Sequence, residues 1–119
     1  MPQPIRTVSV GDAAASLDSD PRPLLVDVRE VNEHRAVRIP GALLMPLSTF
    51  AVRYRELPTD RPILVLCAHG QRSFAAADFL ARNGYADAAS IDGGIVAWER
   101  GGHPVARGPI PAAEDDRVS

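Results

Sequence analysis

Residues 63–73, ILVLCAHGQRS, lead from a continuous apolar run through a short polar loop to the start of a predicted helix. Every position from Ile63 to Cys67 is apolar, which is typical of a parallel strand covered on both faces. The helix is predicted to run from Ser73 through Asn83. Because parallel sheets bind ligands beyond the carboxyl ends of their strands, Cys67 lies where chemistry is expected.

The flanking sequence predicts strands and helices in alternation, and therefore an α/β domain with a mainly parallel central sheet and helices on both faces. The predicted strands cover residues 5–10, 24–28 and 88–91, with a short apolar piece at 43–45. The predicted helices cover residues 11–17, 49–57, 73–83 and 95–102, with one or two helical turns at 30–36.

Three of these helices carry more specific expectations. Ser48 is the expected N-cap of the 49–57 helix. The expected buried residues of that helix are Phe50, Val52 and Leu57. The expected buried face of the 73–83 helix is Phe74, Ala77, Leu80 and Ala81, with Gly84 as the left-handed residue at its end. The last helix is expected to bury Ile95 and Trp98.

The composition favours one domain. A chain of 119 residues, of which 45% are hydrophobic, can bury one core but is short for two. We predict a single domain over residues 1–105 and a flexible C-terminal tail over residues 106–119, which are rich in Pro, Ala and acidic side chains. Neither a signal peptide nor an apolar run of membrane-spanning length is evident.

The charge and the cysteine content exclude several classes of function. A net charge of -2 provides no strong field to attract nucleic acid or an anionic membrane, so neither is an expected partner. The single cysteine rules out an internal disulfide, and a lone thiol is tolerated best in a reducing compartment. We therefore expect a cytoplasmic protein. Taken alone, a single cysteine in a small domain is more often a buried structural residue than a nucleophile.

The loop after Cys67 favours the nucleophile. A tight turn between a strand and a helix start can point successive backbone N–H groups at one atom, and the positive end of the helix dipole adds to their field. Such a nest stabilises a thiolate or a persulfide anion. The expected site consists of Cys67 with the loop residues Ala68, His69, Gly70, Gln71, Arg72 and Ser73.

These residues resemble a known family. The segment CAHGQRS matches the CxxGxRS active-site loop of rhodanese domains at every fixed position. Three further segments, LVDVRE at 25–30, IPGA at 39–42 and GGIVAW at 93–98, are similar to other landmarks of the family and occur in the family's order. The resemblance covers nearly the whole chain.

The resemblance implies a sulfurtransferase that works by double displacement. The Cys67 thiolate would attack the outer sulfur of a donor such as thiosulfate, become a persulfide, and pass the sulfur to a thiophilic acceptor such as cyanide or a thiol. A protein that donates or accepts sulfur is the alternative to these small molecules. The family position of Arg72 implies a guanidinium that points toward the loop and steadies it. No cofactor is implied.

Two departures from the family pattern bear on this expectation. Members that act on thiosulfate often carry cationic or hydroxyl side chains in the loop, whereas here the interior positions are Ala68, His69 and Gln71. The preferred donor is therefore open, as is whether His69 holds an anionic donor or is simply an exposed neutral imidazole. Val37 and Arg38 replace the usual Gly and His before the Ile-Pro pair, which is expected to change packing more than chemistry.

Residues outside the loop are expected to have supporting or structural roles. Asp27 and Arg29 end a buried strand, where the carboxylate needs donors from loop amides or from an arginine. Whether they touch the site is open. His34 and His103 are expected at the surface, and the absence of ligand spacing predicts no metal site.

Two alternatives remain at this stage. A cysteine phosphatase also holds a thiolate in a loop closed by arginine, but its signature has five residues between Cys and Arg, whereas four intervene here. The smaller ring suits one sulfur atom better than a phosphoryl group. A persulfide carrier or sulfur-relay module would need the same loop as the enzyme, so the sequence does not separate the two.

Overall fold

The computed structural model describes residues 6–109. The strands are β1 (Arg6–Val8), β2 (Leu24–Asp27), β3 (Leu43–Leu44), β4 (Ile63–Leu66) and β5 (Ala88–Ile91). The helices are α1 (Val10–Leu17), α2 (Val31–Ala36), α3 (Leu47–Arg53), α4 (Gln71–Arg82) and α5 (Gly94–Arg100), and a 3₁₀ turn at Tyr54–Glu56 follows α3. This alternation confirms the predicted α/β class.

The five strands form one sheet in the order β1-β5-β4-β2-β3, and every pairing between them is parallel. The central strand β4 pairs with β2 on one side and β5 on the other, and all four of its residues are buried. Because Cys67 directly follows Leu66, it emerges at the middle of the carboxyl edge of the sheet.

Helices cover both faces of the sheet, as predicted. Alternate residues of β4 point into opposite cores, with Ile63 and Val65 on one side and Leu64 and Leu66 on the other. The first core includes residues of α3 and α4, and the second includes residues of α1 and α5. The buried Ile95 and Trp98 of α5 belong to the second core, as expected.

The expectations for α3 are partly wrong. Pro46, not Ser48, precedes the first helical residue, and the Ser48 hydroxyl donates instead to the Glu30 carboxylate at 2.9 Å. Val52 is 84% exposed, whereas Phe50 and Leu57 are buried as predicted. The apolar positions of this short helix fit two faces, and only the face that carries Phe50 meets the sheet.

The buried face of α4 is rotated from the predicted one. Phe74 is 45% exposed and Ala81 is also exposed, so both assignments are wrong. The buried residues of α4 recur every three or four positions and are Ser73, Ala76, Ala77 and Leu80. A serine that bonds within the site therefore takes the place that hydrophobicity alone assigned to Phe74. Gly84 has a φ of 94° and ends the helix as predicted.

Residues beyond α5 lie against the segment that precedes β3. The backbones of Arg38 and Ala106 form an antiparallel bridge, and the buried Arg38 guanidinium donates to the carbonyl of Gly108 at 2.8 Å. The predicted domain boundary at residue 105 falls within this bonded segment. Residues 1–5 and 110–119 lie outside the described part, which leaves the tail a prediction. Among residues 6–109, no helix has the length and apolar character needed to cross a membrane.

Candidate active site

The loop that joins β4 to α4 closes around one sulfur atom. The Cys67 Sγ accepts the backbone N–H of Gly70 at 3.1 Å and that of Ser73 at 3.3 Å. Its thiol lies 3.3 Å from the Ser73 hydroxyl oxygen, to which it donates. Gly70 has a φ of 106°, a left-handed conformation that allows the loop to turn back on the sulfur. The amides therefore converge on Sγ as the sequence predicts.

The pKa of Cys67 is set by two opposing effects. Cys67 is 1% exposed, and burial by itself raises the pKa of the thiol. Hydrogen bonds from the Ser73 side chain and from the backbone N–H groups of Ser73, Gly70 and His69 stabilise the thiolate. Their combined effect exceeds that of burial, so the pKa lies below that of an ordinary cysteine.

This lowered pKa predicts the pH dependence of alkylation. Only the thiolate reacts, so the alkylation rate should rise with pH and reach half of its maximum at a pH below the roughly 8.5 midpoint of a free thiol. The measurement is the rate of iodoacetamide modification across pH, followed by intact mass. The same chain in denaturant is the control, because it contains the same single cysteine without the loop. Coincident midpoints in the folded and unfolded protein would contradict the stabilising nest.

The N-terminus of α5 holds the other side of the loop. The N–H of Ile95 donates to the Cys67 carbonyl at 2.9 Å, and the N–H of Val96 donates to the Ala68 carbonyl at 3.2 Å. Because C=O and N–H point in opposite directions across a planar trans peptide, these bonds turn the amides of Ala68 and His69 away from α5. The helix thereby orients the peptides that follow the cysteine.

Gly94 makes this close approach possible. Its φ is 61°, and a Cβ atom at this position would overlap the carbonyl groups of Cys67 and Ala68. The sequence marked Gly93 and Gly94 only as the start of the GGIVAW landmark. The fold explains why Gly94 must be glycine: the backbone of α5 contacts the backbone of the loop directly, and there is no room for a side chain.

Ser90 is a site residue that the sequence did not single out. It lies on β5, is 1% exposed, and its hydroxyl is 2.8 Å from that of Ser73. The Ser73 hydroxyl also donates to the Gly70 carbonyl at 3.2 Å. A polar residue in the otherwise apolar AASI strand was the available signal, because a buried hydroxyl needs a partner.

Arg72 bonds to a residue that the sequence also missed. Its guanidinium donates to both oxygens of Glu33 on α2, at 2.7 and 2.8 Å. The hydrogen bonds of Arg72 therefore join the loop to α2 rather than closing over the sulfur. The bond from Arg72 lowers the pKa of Glu33 to about 2. Glu33 also forms a capping box with Glu30 at the start of α2, a local arrangement that does not indicate the contact with Arg72.

Asp27 and Arg29 form a buried ion pair beneath this contact. The Arg29 guanidinium donates to Asp27 at 2.8 Å, and the Arg29 backbone N–H donates to the same carboxylate at 3.0 Å. Arg29 also donates to the carbonyls of Glu33 and Val37, at 3.1 and 2.7 Å. Both kinds of donor that the sequence allowed for Asp27 are thus present. The pair supports α2, and through Glu33 it supports the loop.

The surface assignment of His34 is wrong. His34 is 2% exposed, and its Nδ1 lies 3.3 Å from the Asp27 carboxylate. Burial alone raises the pKa of Asp27, but hydrogen bonds from His34 and Arg29 outweigh it and leave this pKa below its ordinary value. His34 lies on the inward face of α2, where the Asp27 carboxylate can accept a further hydrogen bond. His103 is half-buried, with its ring 4.8 Å from that of Trp98.

The side chains at the interior positions of the loop lie outside the group of atoms that bonds to Sγ. His69 and Gln71 are exposed and Ala68 is half-buried. Among residues 6–109, no cluster of His, Cys, Asp and Glu is arranged to hold a metal ion. A cavity of about 580 Å³ lies beside Tyr54 and one of about 250 Å³ beside Trp98, but neither is lined by a loop residue. The Gly70 and Ser73 N–H groups thus form a cradle around one atom, Sγ.

Comparison with known proteins finds relatives similar in sequence and in fold. The chain is 39% identical over 82 residues to a sulfurtransferase from Allochromatium vinosum, covering 69% of this chain and 77% of that protein. It is 34% identical over 92 residues to thiosulfate sulfurtransferase GlpE from Pseudoalteromonas translucida, covering 77% and 87%. A rhodanese-related protein from Thermoplasma volcanium has a similar crystal structure, with a TM-score of 0.79, 31% identity, and coverage of 85% and 97%.

The family model for the rhodanese-like domain matches residues 9–100, which span every element from the N-cap of α1 through α5. The chain therefore belongs to the family of rhodanese-like domains.

Proposed function

We propose that this protein is a sulfurtransferase that moves sulfane sulfur from thiosulfate or another persulfide donor to a thiophilic acceptor through a Cys67 persulfide. The observation that carries the proposal is the convergence of the Gly70 and Ser73 N–H groups on Sγ, at 3.1 and 3.3 Å. The names of the two relatives, a sulfurtransferase and a thiosulfate sulfurtransferase, support the same class of reaction.

In the first step the Cys67 thiolate attacks the outer sulfur of the donor. The thiolate electron pair forms the new S–S bond, and the pair of the broken S–S bond leaves with sulfite when the donor is thiosulfate. The lowered pKa of Cys67 maintains the thiolate that this attack needs. The persulfide places its negative charge on the outer sulfur, beyond Sγ, where N–H groups of the loop remain available.

In the second step the acceptor attacks the outer sulfur. Cyanide would leave as thiocyanate, whereas a thiol would leave as its own persulfide. In either case the Cys67 thiolate is the leaving group, and the donors that lower its pKa also make it a better one. The same hydrogen bonds thus assist both steps, because the Cys67 thiolate is the nucleophile of the first step and the leaving group of the second.

The test combines loading with turnover. Incubation with excess thiosulfate or polysulfide should add the mass of one sulfur atom, and fragmentation should place that sulfur on Cys67. Subsequent cyanide should remove it and yield one equivalent of thiocyanate per loaded chain. Failure of every donor to load Cys67 would overturn the proposal.

A persulfide carrier is the second candidate, and the burial of Cys67 favours it. Cys67 is 1% exposed, so a small donor in solution has little access to the sulfur unless the loop opens, as it could on contact with a partner protein. A carrier would load from a persulfidated cysteine desulfurase much faster than it turns over thiosulfate and cyanide. Both roles need a reducing compartment for a free thiol, so we keep the cytoplasm as the proposed location.

Phosphatase activity is the weaker alternative. Four residues, at positions 68–71, separate Cys67 from Arg72 in this loop. The guanidinium that would contact a phosphoryl oxygen donates instead to Glu33. Hydrolysis of an aryl phosphate at a rate comparable to sulfur transfer would reverse this ranking.

A further inference from the structure

Helix α2 has no apolar side chain in the core to hold it in place. Among its six residues, Val31–Ala36, only His34 is buried. A helix of this length is unstable on its own in water, and most helices in proteins are stabilised by packing an apolar face against a core. The position of α2 therefore depends on hydrogen bonds to its backbone and to His34.

The C-terminal end of α2 is bonded to residues 104–109, which we call the C-terminal strap. The N–H of Gly108 donates to the carbonyl of Arg35, in the last turn of α2, at 3.0 Å. The N–H groups of Arg38 and Ala106 each donate to the carbonyl of the other residue, at 2.9 and 2.8 Å. The strap thus satisfies a backbone carbonyl that the end of a helix leaves without a partner inside the helix.

The side chain of Arg38 adds to this contact from inside the domain. Arg38 is 1% exposed, and its guanidinium donates to the carbonyl of Gly108 at 2.8 Å and to that of Arg35 at 3.5 Å. Arg38 is also one of the two departures from the family sequence before the Ile-Pro pair. The strap lies beyond residues 9–100, which the family model matches, so the family match does not account for this contact.

The strap is also bonded to α5. The Trp98 Nε1–H donates to the Pro104 carbonyl at 2.8 Å, and Arg107 forms an ion pair with Glu99. Helix α5 contacts the loop between β4 and α4 through its N-terminal amides, whereas α2 contacts the same loop through Glu33. The strap therefore joins two helices that both hold the loop.

We propose, on the basis of the proposed function, that the C-terminal strap is a positioning element for sulfur transfer and that Arg38 is its positioning residue. The strap holds α2 where Glu33 accepts from Arg72, at 2.7 and 2.8 Å. Arg72 directly precedes Ser73, whose N–H and hydroxyl bond to the Cys67 sulfur. A shift of α2 is thus transmitted through Arg72 to the donors around the sulfur.

Removal of the Ala106 N–H tests the strap in the full chain. Ala106→Pro lacks this donor, whereas Ala106→Ser retains it in a residue of similar size. The amides of His34 and Val37 donate to the carbonyls of Glu30 and Glu33. They should exchange with deuterium about fivefold faster or more in Ala106→Pro, the effect of one lost hydrogen bond. In Ala106→Ser they should exchange at the native rate.

Turnover should follow the same order. The value of kcat/KM for sulfur transfer from thiosulfate to cyanide should fall roughly threefold to tenfold in Ala106→Pro and stay native in Ala106→Ser. Arg38→Met is a second variant with the same expected changes, because it removes the guanidinium and keeps an unbranched stem. Native exchange of α2 in the folded variants would overturn the inference. Failure of both Ala106→Pro and Arg38→Met to fold would also overturn it, because the strap would then hold the whole domain.

A double-mutant cycle with Glu33→Gln separates positioning from stability. Glu33→Gln removes the charge that Arg72 contacts, so it should itself lower kcat/KM. In that background Ala106→Pro should change kcat/KM by less than about twofold, because α2 no longer positions Arg72. Native turnover in Glu33→Gln, or losses that multiply in the double variant, would show that the strap does not act through this contact.

Two readouts keep this inference apart from the proposed function. Intact mass shows whether a donor loads Cys67 in the native chain, and failure of every donor removes the proposed function together with the role of the strap in it. Deuterium exchange does not depend on sulfur and still reports whether the strap holds α2. Loading of the native chain, with equal kcat/KM in Ala106→Pro and Ala106→Ser, removes the functional role of the strap alone.

Discussion

Cys67→Ser is expected to abolish sulfur transfer while leaving the fold intact. Serine matches the volume of cysteine and can accept the same N–H groups from Gly70 and Ser73. Its hydroxyl is not ionised near neutral pH, and an alkoxide forms no stable bond to sulfane sulfur. The loss of turnover should be at least about a thousandfold. It is measured as thiocyanate or persulfide formed per chain.

The chain contains one cysteine, so the absence of a labelled thiol in this variant is not informative. Turnover is the discriminating measurement, with thermal unfolding as its companion. Because Cys67 belongs to a buried core, a melting temperature within a few degrees of the native one is needed to attribute the loss to chemistry. A variant that stays folded and retains a tenth of the native turnover would show that the sulfur travels by another route.

Gly94→Ala is expected to damage both stability and activity. A methyl group at Gly94 would overlap the carbonyls of Cys67 and Ala68, and alanine at a φ of 61° is strained in any surroundings. Relief requires α5 to move away from the loop, which would weaken the bonds from Ile95 and Val96. We expect the free energy of unfolding to fall by about 2 kcal/mol or more. Turnover should drop by on the order of a hundredfold, the effect of misplacing reacting groups by about 1 Å.

Gly102→Ala is the matched control. Gly102 has a φ of 81°, but an added Cβ there meets no atom within 4 Å. The control thus carries the conformational strain without the overlap. It should lose about 1 kcal/mol of stability, determined by urea denaturation, and keep native turnover. If both variants lost the same stability and Gly94→Ala remained active, the close packing of α5 on the loop would have no functional consequence.

The backbone framework was predictable because it depends on local patterns. The runs at 24–28, 63–67 and 88–91 each became a parallel strand, and Gly84 ended its helix as expected. The CxxGxRS spacing also sufficed to indicate a loop whose amides converge on Cys67. Periodicity, chain breaks and turn chemistry are properties of neighbouring residues, so a single sequence contains them.

The polar partners of the site were less accessible because they join residues far apart in the sequence. Glu33 contacts Arg72 across 39 positions, and Ser90 contacts Ser73 across 17. Nothing in the local pattern distinguishes Glu33 from Glu30, which bonds to Ser48 instead. His34 was misplaced for a related reason, since its burial depends on the Asp27 carboxylate that it faces.

The exposed faces of α3 and α4 illustrate the limit of hydrophobicity as a guide. Val52 and Phe74 are both large apolar side chains, yet both are exposed. On α4 the inward position belongs to Ser73, whose hydroxyl and backbone N–H both bond to the Cys67 sulfur. A site can override the burial preference of a helix when its hydrogen bonds are worth more than one apolar contact.

The hydroxyls of Ser73 and Ser90 allow the loop to bind the Cys67 sulfur both as a thiol and as a thiolate, without moving a heavy atom. When the sulfur carries a proton, its S–H donates a hydrogen bond to the Ser73 oxygen, and the Ser73 hydroxyl donates to Ser90 or to the Gly70 carbonyl. When sulfur is an anion, Ser73 rotates its hydrogen toward Sγ and Ser90 supplies a hydrogen to Ser73 in turn. Reorienting two O–H bonds replaces a rearrangement of the loop, so each half of the proposed sulfur transfer begins from the same arrangement of heavy atoms.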